Sequence, residues 1–476
     1  MAKMNRLRVL DDAQLDRFHQ ITVDILENTG VELEAEEAVE VFAQNGAKVD
    51  GHRVYIPKKM LEEAIEAAPE TFKLWGRDET KSIIVGGDQP RPWVEPSNGP
   101  VFVHDMEGGR RAGTLKDLVD FYKLAQASPV CDIAGAIPVE PGDLTKEERL
   151  DRIYYEMIRH SDKPLRFVVG TRDEIIRSFE MLETAIGQPG FLKTHPSVIV
   201  SINPLSPLAY DRTPLETMMT YAEYGQAVTV LCCALAGISA PISLVGAAAM
   251  INAEMLAGLT LVQLVNPGTP YVHAPASAMP NLQTGQYITG SPQSNLINIA
   301  VMQIAIERYR LPTRTMAGLT DAKVADAQAG YETMQNLMQC MLGGSHIINE
   351  CLGVLDSIMT NSLEKFVMDE EMISRVFTMI GGVDAEAGDF MSEAIAQVGP
   401  RGNYLTHPST FKHFRSAWRP KVSNWDDYAK WERDGEKDAI VRANARYKEI
   451  LASCPETTLD PEKENALIAY WGKQAA

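Results

Sequence analysis

The side chains best suited to chemistry gather in one stretch of the chain, residues 311–356. It holds carboxylate, imidazole and carboxamide groups close to short apolar runs, and such groups can bind and orient a polar substrate. The candidate catalytic residues are Asp321, His346, Asn349 and Glu350.

The elements predicted around these residues would bring them to one place. The stretch indicates an extended segment at 312–318, a polar loop, a helix from Asp326 to the Gly343-Gly344 pair, and a second extended segment at 345–352. In an α/β barrel, reacting groups lie at the carboxyl ends of the strands.

The same alternation of strand and helix runs through most of the chain, which is typical of parallel strands joined by crossover helices. An eighth strand, expected around Pro100–His104, would close a (β/α)8 TIM barrel, the α/β fold that we predict. A doubly wound sheet is the rival, but no GxGxxG follows any predicted strand. The seven clear strands are 131–139, 164–170, 196–204, 227–233, 270–276, 312–318 and 345–352.

Segments without this alternation flank the barrel. We expect an N-terminal helical cap with hairpins at 1–88, the barrel at 89–360, and a C-terminal helical extension at 361–476 that includes a long charged helix, Ala429–Leu451. The short extended pieces between Phe72 and His104 are either hairpins that lead into the barrel or a lid near its mouth.

Composition limits the class of function. A formal net charge of −19 without a basic cluster argues against nucleic acid and against an anionic membrane surface as partners. The six scattered cysteines form no CxxC pair and, with the nine histidines, no zinc spacing, so a cytoplasmic protein without a metal site is expected. The apolar run 227–265 fits a buried strand and helix better than a membrane hairpin, since glycine and proline interrupt it.

Several long blocks of the chain are similar to one family in the same order. The chain resembles the trimethylamine methyltransferase superfamily, in the branch without pyrrolysine that includes glycine betaine:corrinoid methyltransferases. The resemblance rests on TGVELEAEEAVEVFAQNGAKVD with RVYIP, SPLAYD (206–211), AEMLAGLTLVQLVNPGTPYVHA (253–274), GSPQ (290–293), GLTDAKVADAQAGYE (318–332) and GNYLTHPST (402–410).

This resemblance implies a barrel enzyme that transfers a methyl group from a methylated amine to Co(I) of a corrinoid on a separate partner protein. Since only standard residues are present, it favours a quaternary ammonium substrate, with glycine betaine first and proline betaine or carnitine next. No metal or tightly held cofactor is expected on this chain. Gln293 departs from the family's usual glutamate, which puts an acid–base role there in doubt.

A quaternary nitrogen has no lone pair and leaves as a neutral tertiary amine, so the protein has to bind the cation, aim one methyl group and exclude water. Aromatic faces would hold the ammonium group, and donors would hold the substrate's carboxylate. The candidate substrate-binding residues are Trp93, Phe102, Asn203, His273, Ser277, Tyr287, Gly318 and Tyr331.

Plainer roles compete with these assignments. His273 and His346 stand in apolar strands and could be buried core histidines, Asp321 could cap a turn, and Tyr331 could pack in the core.

Two other functions stay open. A barrel lyase or isomerase acting on a carbonyl substrate would need a Schiff-base lysine or an activated base at a strand end. Lys163 precedes its strand and Lys323 follows a loop, so neither lies inside a strand. A non-catalytic betaine-binding protein is the other alternative, although such proteins are usually exported and two-lobed. Self-association into a homo-oligomer is expected.

Overall fold

The computed structural model describes residues 6–383 and 390–474 of the chain. Its helices are α1 (Asp12–Asp24), α2 (Glu36–Gln44), α3 (Lys58–Ala67), α4 (Leu115–Ala127), α5 (Lys146–His160), α6 (Arg172–Ile186), α7 (Arg212–Glu223), α8 (Leu244–Val265), α9 (Pro292–Glu307), α10 (Ala327–Gly343), α11 (Leu363–Ile380), α12 (Ser392–Val398), α13 (Pro408–His413), α14 (Tyr428–Arg433), α15 (Ala439–Ser453) and α16 (Pro461–Gln474).

The strands are short, and many lie outside the central sheet. They are β1 (Val31–Leu33), β2 (Lys48–Asp50), β3 (Arg53–Tyr55), β4 (Thr71–Leu74), β5 (Ile83–Gly86), β6 (Trp93–Val94), β7 (Phe102–Asp105), β8 (Gly109–Ala112), β9 (Ala134–Gly135), β10 (Leu165–Phe167), β11 (Val198–Ile202), β12 (Ala209–Tyr210), β13 (Ala227–Cys232), β14 (Tyr271–Pro275), β15 (Arg314–Met316), β16 (Ile347–Asn349), β17 (Val354–Leu355) and β18 (Thr360–Asn361).

Eight parallel strands close into a barrel in the order β6, β9, β10, β11, β13, β14, β15, β16. Two sheets form most of it, with the orders β14-β13-β11-β10-β9 and β15-β16-β6. A parallel bridge between His273 and Thr313 joins them on one side. On the other side, the amides of Asp132 and Ile133 donate to the carbonyl of Val94. The predicted (β/α)8 barrel is therefore confirmed.

A helix follows each barrel strand, from α4 after β6 to α11 after β16. The first of them begins at Thr114, whose side chain forms a reciprocal capping box with Asp117. Each crossover returns the chain to the amino-terminal end of the barrel, so the carboxyl ends of all eight strands face the same way.

The prediction of a barrel strand at Pro100–His104 is wrong. The strand there, β7, pairs antiparallel with β8 and parallel with β18 in a separate sheet. The barrel is closed instead by β6, which lies between β16 and β9. Only two residues of β6 have strand geometry, and prolines stand near both ends, so the sequence shows no apolar run there.

The hairpin of β4 and β5 lies at the amino-terminal end of the barrel. Its side chains Phe72, Leu74, Ile83 and Val85 pack with residues that open the barrel strands: Trp93, Ile133, Ile199, Ala227, Val272 and Ile347. Of the two placements that the sequence left open, the structure shows a hairpin that leads into the barrel and not a lid near its mouth. This hairpin forms a plug at the amino-terminal end of the barrel, and the opposite end is left for a site.

Helix α8 is the apolar helix expected after β13. By length and composition it could cross a membrane, yet 89% of its apolar window is buried inside the molecule. It packs between the barrel strands and the N-terminal helices α1, α2 and α3. This environment explains its apolar composition on all sides.

The predicted long helix Ala429–Leu451 is wrong in one respect, since the chain forms two helices there, α14 and α15. Gly435 lies between them with φ 90°, a left-handed conformation that ends the first helix. Residues 384–389 of the predicted C-terminal helical extension lie outside the described residues.

A buried ion pair fixes α11 to the top of the barrel. Lys365 Nζ lies 2.7 and 2.8 Å from the two carboxylate oxygens of Asp369, and also donates to Thr333 Oγ1. Asp369 accepts in turn from the amide of Gly353 at 2.8 Å. Burial raises the pKa of Asp369 to about 6 despite the adjacent lysine.

We expect Lys365→Met to lower the free energy of unfolding by roughly 3–5 kcal/mol, because it leaves the Asp369 carboxylate buried without its charged partner. Urea unfolding followed by circular dichroism measures the change. The double variant Lys365→Met/Asp369→Leu removes both charges and should recover most of the loss. Equal losses in the two variants would contradict this account.

Candidate active site

A layer of charged side chains crosses the interior of the barrel. Glu95 follows β6, Arg166 lies in β10 and Arg314 lies in β15, and all three are at most 4% exposed. Arg314 Nε donates to Glu95 Oε2 at 2.8 Å, and Arg166 Nη1 lies 3.6 Å from the same oxygen. Because these strands are not neighbours, the side chains can meet only across the barrel axis.

This layer holds more charge and more donors than its own contacts use. Two guanidinium groups face one carboxylate, and burial together with Arg314 lowers the pKa of Arg166 to about 10. Among the described residues, Arg166 Nη1, Arg314 Nη1 and Glu95 Oε1 have no hydrogen-bond partner, whereas Arg314 Nη2 lies 2.8 Å from Glu95 Oε2 in an ion pair. Buried donors without partners are costly, so this layer is a strong candidate for binding a ligand.

Glu350 and Asn349 stand at the carboxyl end of β16, on the side of this layer toward the open end of the barrel. Glu350 accepts from the amide of Asn98 at 2.9 Å and from the Asn349 carboxamide at 3.0 Å. Its backbone is in the left-handed region, with φ 52°. Burial raises the pKa of Glu350 to about 7, although Arg166 and Arg314 act in the opposite direction.

Tyr287 lies over the same end of the barrel, in the loop that follows β14. Its hydroxyl donates to the carbonyl of Ala276 at 2.7 Å. Burial raises the pKa of the phenol, and the nearby Cys233 and Glu350 raise it further. Ser277 lines the same small cavity as Tyr287 and donates to the carbonyl of Cys232. The structure thus places Tyr287 near Glu350, with Ser277 in the same cavity as Tyr287.

Gly318 and Asp321 shape the loop after β15. A Cβ on Gly318 would lie 2.1 Å from Cys351 Cα, so only glycine allows β15 and the chain after β16 to approach. The Asp321 carboxylate accepts from Thr289, from the Gly290 amide and from Ser357 Oγ, the last at 2.6 Å. Asp321 therefore connects the loops that follow β14, β15 and β16. Its contacts hold these loops in place, so we interpret Asp321 as a positioning residue.

Three other candidates lie away from the charged layer. Asn203 is exposed at the carboxyl end of β11. Tyr331 is 64% exposed on α10, so it is not the core residue that its helix position suggested. Phe102 lies in the separate β7 sheet, where the Arg110 guanidinium covers its ring at 3.6 Å.

The remaining candidates face other parts of the molecule. His273 points away from the barrel axis toward α8, where its Nε2 donates to the Asn252 carboxamide oxygen at 3.0 Å, and burial lowers its pKa to about 3. His346 precedes β16, at the amino-terminal end, and accepts from the Thr313 amide; burial lowers its pKa to about 4. Trp93 packs in the plug at that same end. His273 and His346 are buried histidines of the barrel wall, and none of the three shares the open end with Glu350.

The sequence reasoning missed Glu95, Arg166 and Arg314. A signal was present for the two arginines, since each is a single cation inside an otherwise apolar or hydroxylic strand, in PLRFVVG and LPTRTM. A charged side chain in a parallel strand covered by helices must point into the barrel. Glu95 carried no such signal, because its strand could not be identified.

The lysines considered for a Schiff base are held elsewhere. Lys163 Nζ donates to three backbone carbonyls, those of Ala125, Ser128 and Cys131, at 2.7 to 3.0 Å. Lys323 is exposed and pairs with Asp356. Neither nitrogen reaches the interior of the barrel, so neither lysine can form a Schiff base there.

The fold and this site define a (β/α)8 barrel enzyme with a charged binding layer below the carboxyl ends of its strands. A model of the family described as trimethylamine methyltransferase (MTTB) matches residues 1–476. The chain belongs to this family, and it is a methyltransferase.

Relatives with assigned activities match nearly the whole chain. The glycine betaine methyltransferase of Desulfitobacterium hafniense is 36% identical over 473 residues, covering 98% of each chain. The L-carnitine:corrinoid methyltransferase of Eubacterium limosum is 30% identical over 94% of each chain. The proline betaine:corrinoid methyltransferase of the same organism is 30% identical over 86% of each chain.

A solved structure supports the fold. The monomethylamine methyltransferase of Methanosarcina barkeri aligns with a TM-score of 0.54 over 99% of this chain and 88% of its own, at 10% sequence identity. At that identity the likeness concerns the fold alone.

Proposed function

We propose that this protein transfers a methyl group from a carboxylated quaternary amine of the glycine betaine type to Co(I) of a corrinoid carried by a separate protein. The names of the relatives support both the betaine substrate and the corrinoid acceptor. We also propose, as the sequence predicts, that the domains divide at residues 88 and 360 and that the protein is cytoplasmic.

The observation that carries the choice of substrate is the charge arrangement inside the barrel. Arg314 Nη1 and Arg166 Nη1 offer guanidinium N–H groups that form no hydrogen bond with any described residue. Glu350 offers a carboxyl group nearer the open end, with Tyr287 beside it. A betaine is a zwitterion, so its carboxylate matches the arginines while its ammonium group matches Glu350 and an aromatic face.

This arrangement also orients the reacting group. With the carboxylate held deep in the barrel, the trimethylammonium end points toward the opening, where an acceptor protein can approach. Co(I) would attack one methyl carbon, the C–N bond would break with its electron pair on nitrogen, and a neutral tertiary amine would leave. No general acid is needed, so Glu350 serves to bind and aim the cation.

Trimethylamine fits this layer less well. It lacks a carboxylate, so the spare guanidinium donors would stay unpaired, and near neutral pH it is protonated. The product of one transfer is likewise a protonatable tertiary amine that leaves badly without activation. We therefore expect one methyl group to be removed from each betaine molecule.

The test is to mix the protein with a reduced corrinoid protein that serves a betaine methyltransferase and to follow the loss of Co(I) absorbance. Glycine betaine, proline betaine and carnitine should each react faster than trimethylamine, dimethylglycine or choline. Isothermal titration without the corrinoid protein should show the same preference for carboxylated cations. Equal rates with trimethylamine or dimethylglycine would overturn the proposed substrate class.

A further inference from the structure

Thr229, in the middle of β13, carries a buried hydroxyl group that the chain itself does not satisfy. The residue is completely buried, and its Oγ1 has no hydrogen-bond partner among the described residues. Thr315, an equally buried threonine of the barrel, differs, since its Oγ1 donates to the carbonyl of Pro275 at 2.7 Å. Leaving a buried hydroxyl unpaired costs stability. The Thr229 hydroxyl is therefore a candidate contact for a ligand.

The order of the barrel strands places Thr229 in the charged layer. Along β13, Cys232 bonds to Glu254 of α8 and so faces outward, which turns Thr229 toward the barrel axis because side chains alternate along a strand. Interior side chains of a (β/α)8 barrel stack in layers of four, contributed by alternate strands. The strands β6, β10, β13 and β15 alternate around this barrel. Thr229 thus completes a layer whose other members are Glu95, Arg166 and Arg314.

The apolar layer beneath supports this position. Its side chains come from β11, β14 and β16 and from the residue before β9, and they pack against the hairpin plug: Ile133, Ile199, Val272 and Ile347. The pairing of neighbouring strands joins the two layers in the same way three times: Arg166 with Ile199, Thr229 with Val272, and Arg314 with Ile347. Thr229 therefore stands at the level of the two arginines, directly above the apolar floor of the barrel.

The interior above this layer opens toward the carboxyl ends of the strands. Ser201 on β11 pairs in register with Thr229 and faces the interior, as Ile199 does two residues earlier. Although β11 lies in the middle of its sheet, Ser201 is partly exposed. Cys233 follows β13, packs with the interior residue Leu231, and is also partly exposed. A substrate that enters at this end can therefore reach the layer beside Thr229.

We propose that the Thr229 hydroxyl donates a hydrogen bond to the carboxylate of the substrate, next to the guanidinium groups of Arg166 and Arg314. This role rests on the proposed function, because its ligand is the carboxylated amine. A quaternary ammonium group has no N–H and so gives a hydroxyl nothing to accept, whereas a carboxylate accepts from several donors at once. Thr229 is therefore a specificity-determining residue that recognises the carboxylate end of the substrate.

The experiment is isothermal titration of glycine betaine and of choline into the full chain as wild type, Thr229→Val and Thr229→Ser. Thr229→Val keeps the branched shape and removes the hydroxyl. It should weaken binding of glycine betaine by about tenfold or more, the factor expected for a lost hydrogen bond to a charged group. Choline has no carboxylate, so its affinity should not change. Thr229→Ser keeps the hydroxyl and should retain most of the affinity for glycine betaine.

The matched control is Thr260→Val, the same change at a completely buried threonine of α8 whose hydroxyl donates to the carbonyl of Leu256 at 2.8 Å. It should lower the free energy of unfolding, measured with urea, and leave glycine betaine affinity unchanged. Thr229→Val breaks no hydrogen bond within the described chain, so we expect it to lower affinity without lowering the free energy of unfolding.

The outcomes separate this role from the proposed function. A wild type that binds glycine betaine, together with a Thr229→Val variant that binds it equally well, would overturn the role of Thr229 alone. An equal loss of affinity for glycine betaine and choline would also overturn it, since the residue would then only shape the barrel. A wild type that binds neither glycine betaine, proline betaine nor carnitine would overturn the proposed function and the role of Thr229 with it.

Discussion

Replacing Arg314 by methionine should lower kcat/KM for a carboxylated betaine by about 100-fold. Charge-assisted hydrogen bonds to a carboxylate contribute about 1.5–3 kcal/mol, and about 1.36 kcal/mol corresponds to a factor of ten. Arg314 is completely buried and its Nη1 has no hydrogen-bond partner among the described residues. Arg314→Lys should recover part of the activity, since it keeps the charge but loses the planar donor pair.

Comparing substrates shows whether the lower kcat/KM of Arg314→Met comes from lost binding of the carboxylate or from damage to the barrel. A quaternary amine without a carboxylate, such as choline, should lose much less activity than glycine betaine in Arg314→Met. Arg314→Met leaves the Arg166 guanidinium facing the Glu95 carboxylate, so the layer keeps one cation and one carboxylate while it loses affinity for glycine betaine. A loss of the same size for both substrates would show that Arg314 supports the fold and does not bind the carboxylate.

Glu350→Gln should weaken binding of the quaternary amine by about tenfold or more and should remove its dependence on pH near neutrality. Burial raises the pKa of Glu350 to about 7, so in the free protein the carboxyl group becomes neutral as the pH falls below that value. A neutral carboxyl attracts a cation less strongly than a carboxylate does. The wild type should therefore bind glycine betaine more weakly as the pH falls through 7, and the glutamine variant should show no such step.

Stability should change with pH in the opposite sense. The pKa of Glu350 in the folded protein lies above the ordinary value of 4.5, so folding favours the protonated carboxyl group. The resulting stabilisation is present below pH 4.5 and is lost as the pH rises toward 7. The difference in the free energy of unfolding is on the order of 3 kcal/mol, because a tenfold change in a proton-binding constant corresponds to about 1.36 kcal/mol. Urea unfolding of wild type and Glu350→Gln across this range should show that difference.

A suitable control is Glu254→Gln, a buried carboxyl on α8 whose pKa burial also raises. It bonds to Cys232 and Ser206 outside the charged layer. Its variant should keep the pH step in glycine betaine affinity. If that step vanished in Glu254→Gln but persisted in Glu350→Gln, the assignment of Glu350 as the cation-binding group would be wrong.

The sequence by itself determined the barrel class and the family. Apolar runs such as 227–233, followed by a long apolar helix, require a strand and a helix that are both buried, and repetition of that unit leaves few folds. The long blocks shared with relatives identified the methyltransferase family. The sequence also singled out Asn349 and Glu350 as candidates, since both are polar residues inside the predicted strand 345–352.

The tertiary structure decided which strands close the barrel and which polar groups meet inside it. A two-residue strand such as β6 has no periodicity to detect, so Glu95 could not be placed. The predicted strand 345–352 spans both ends of the barrel, which is why His346 and Glu350 looked like neighbours although they face opposite ends. Arg166 and Arg314 are 148 residues apart in the chain. They share the Glu95 carboxylate only because a closed barrel turns alternate side chains of separate strands toward one axis.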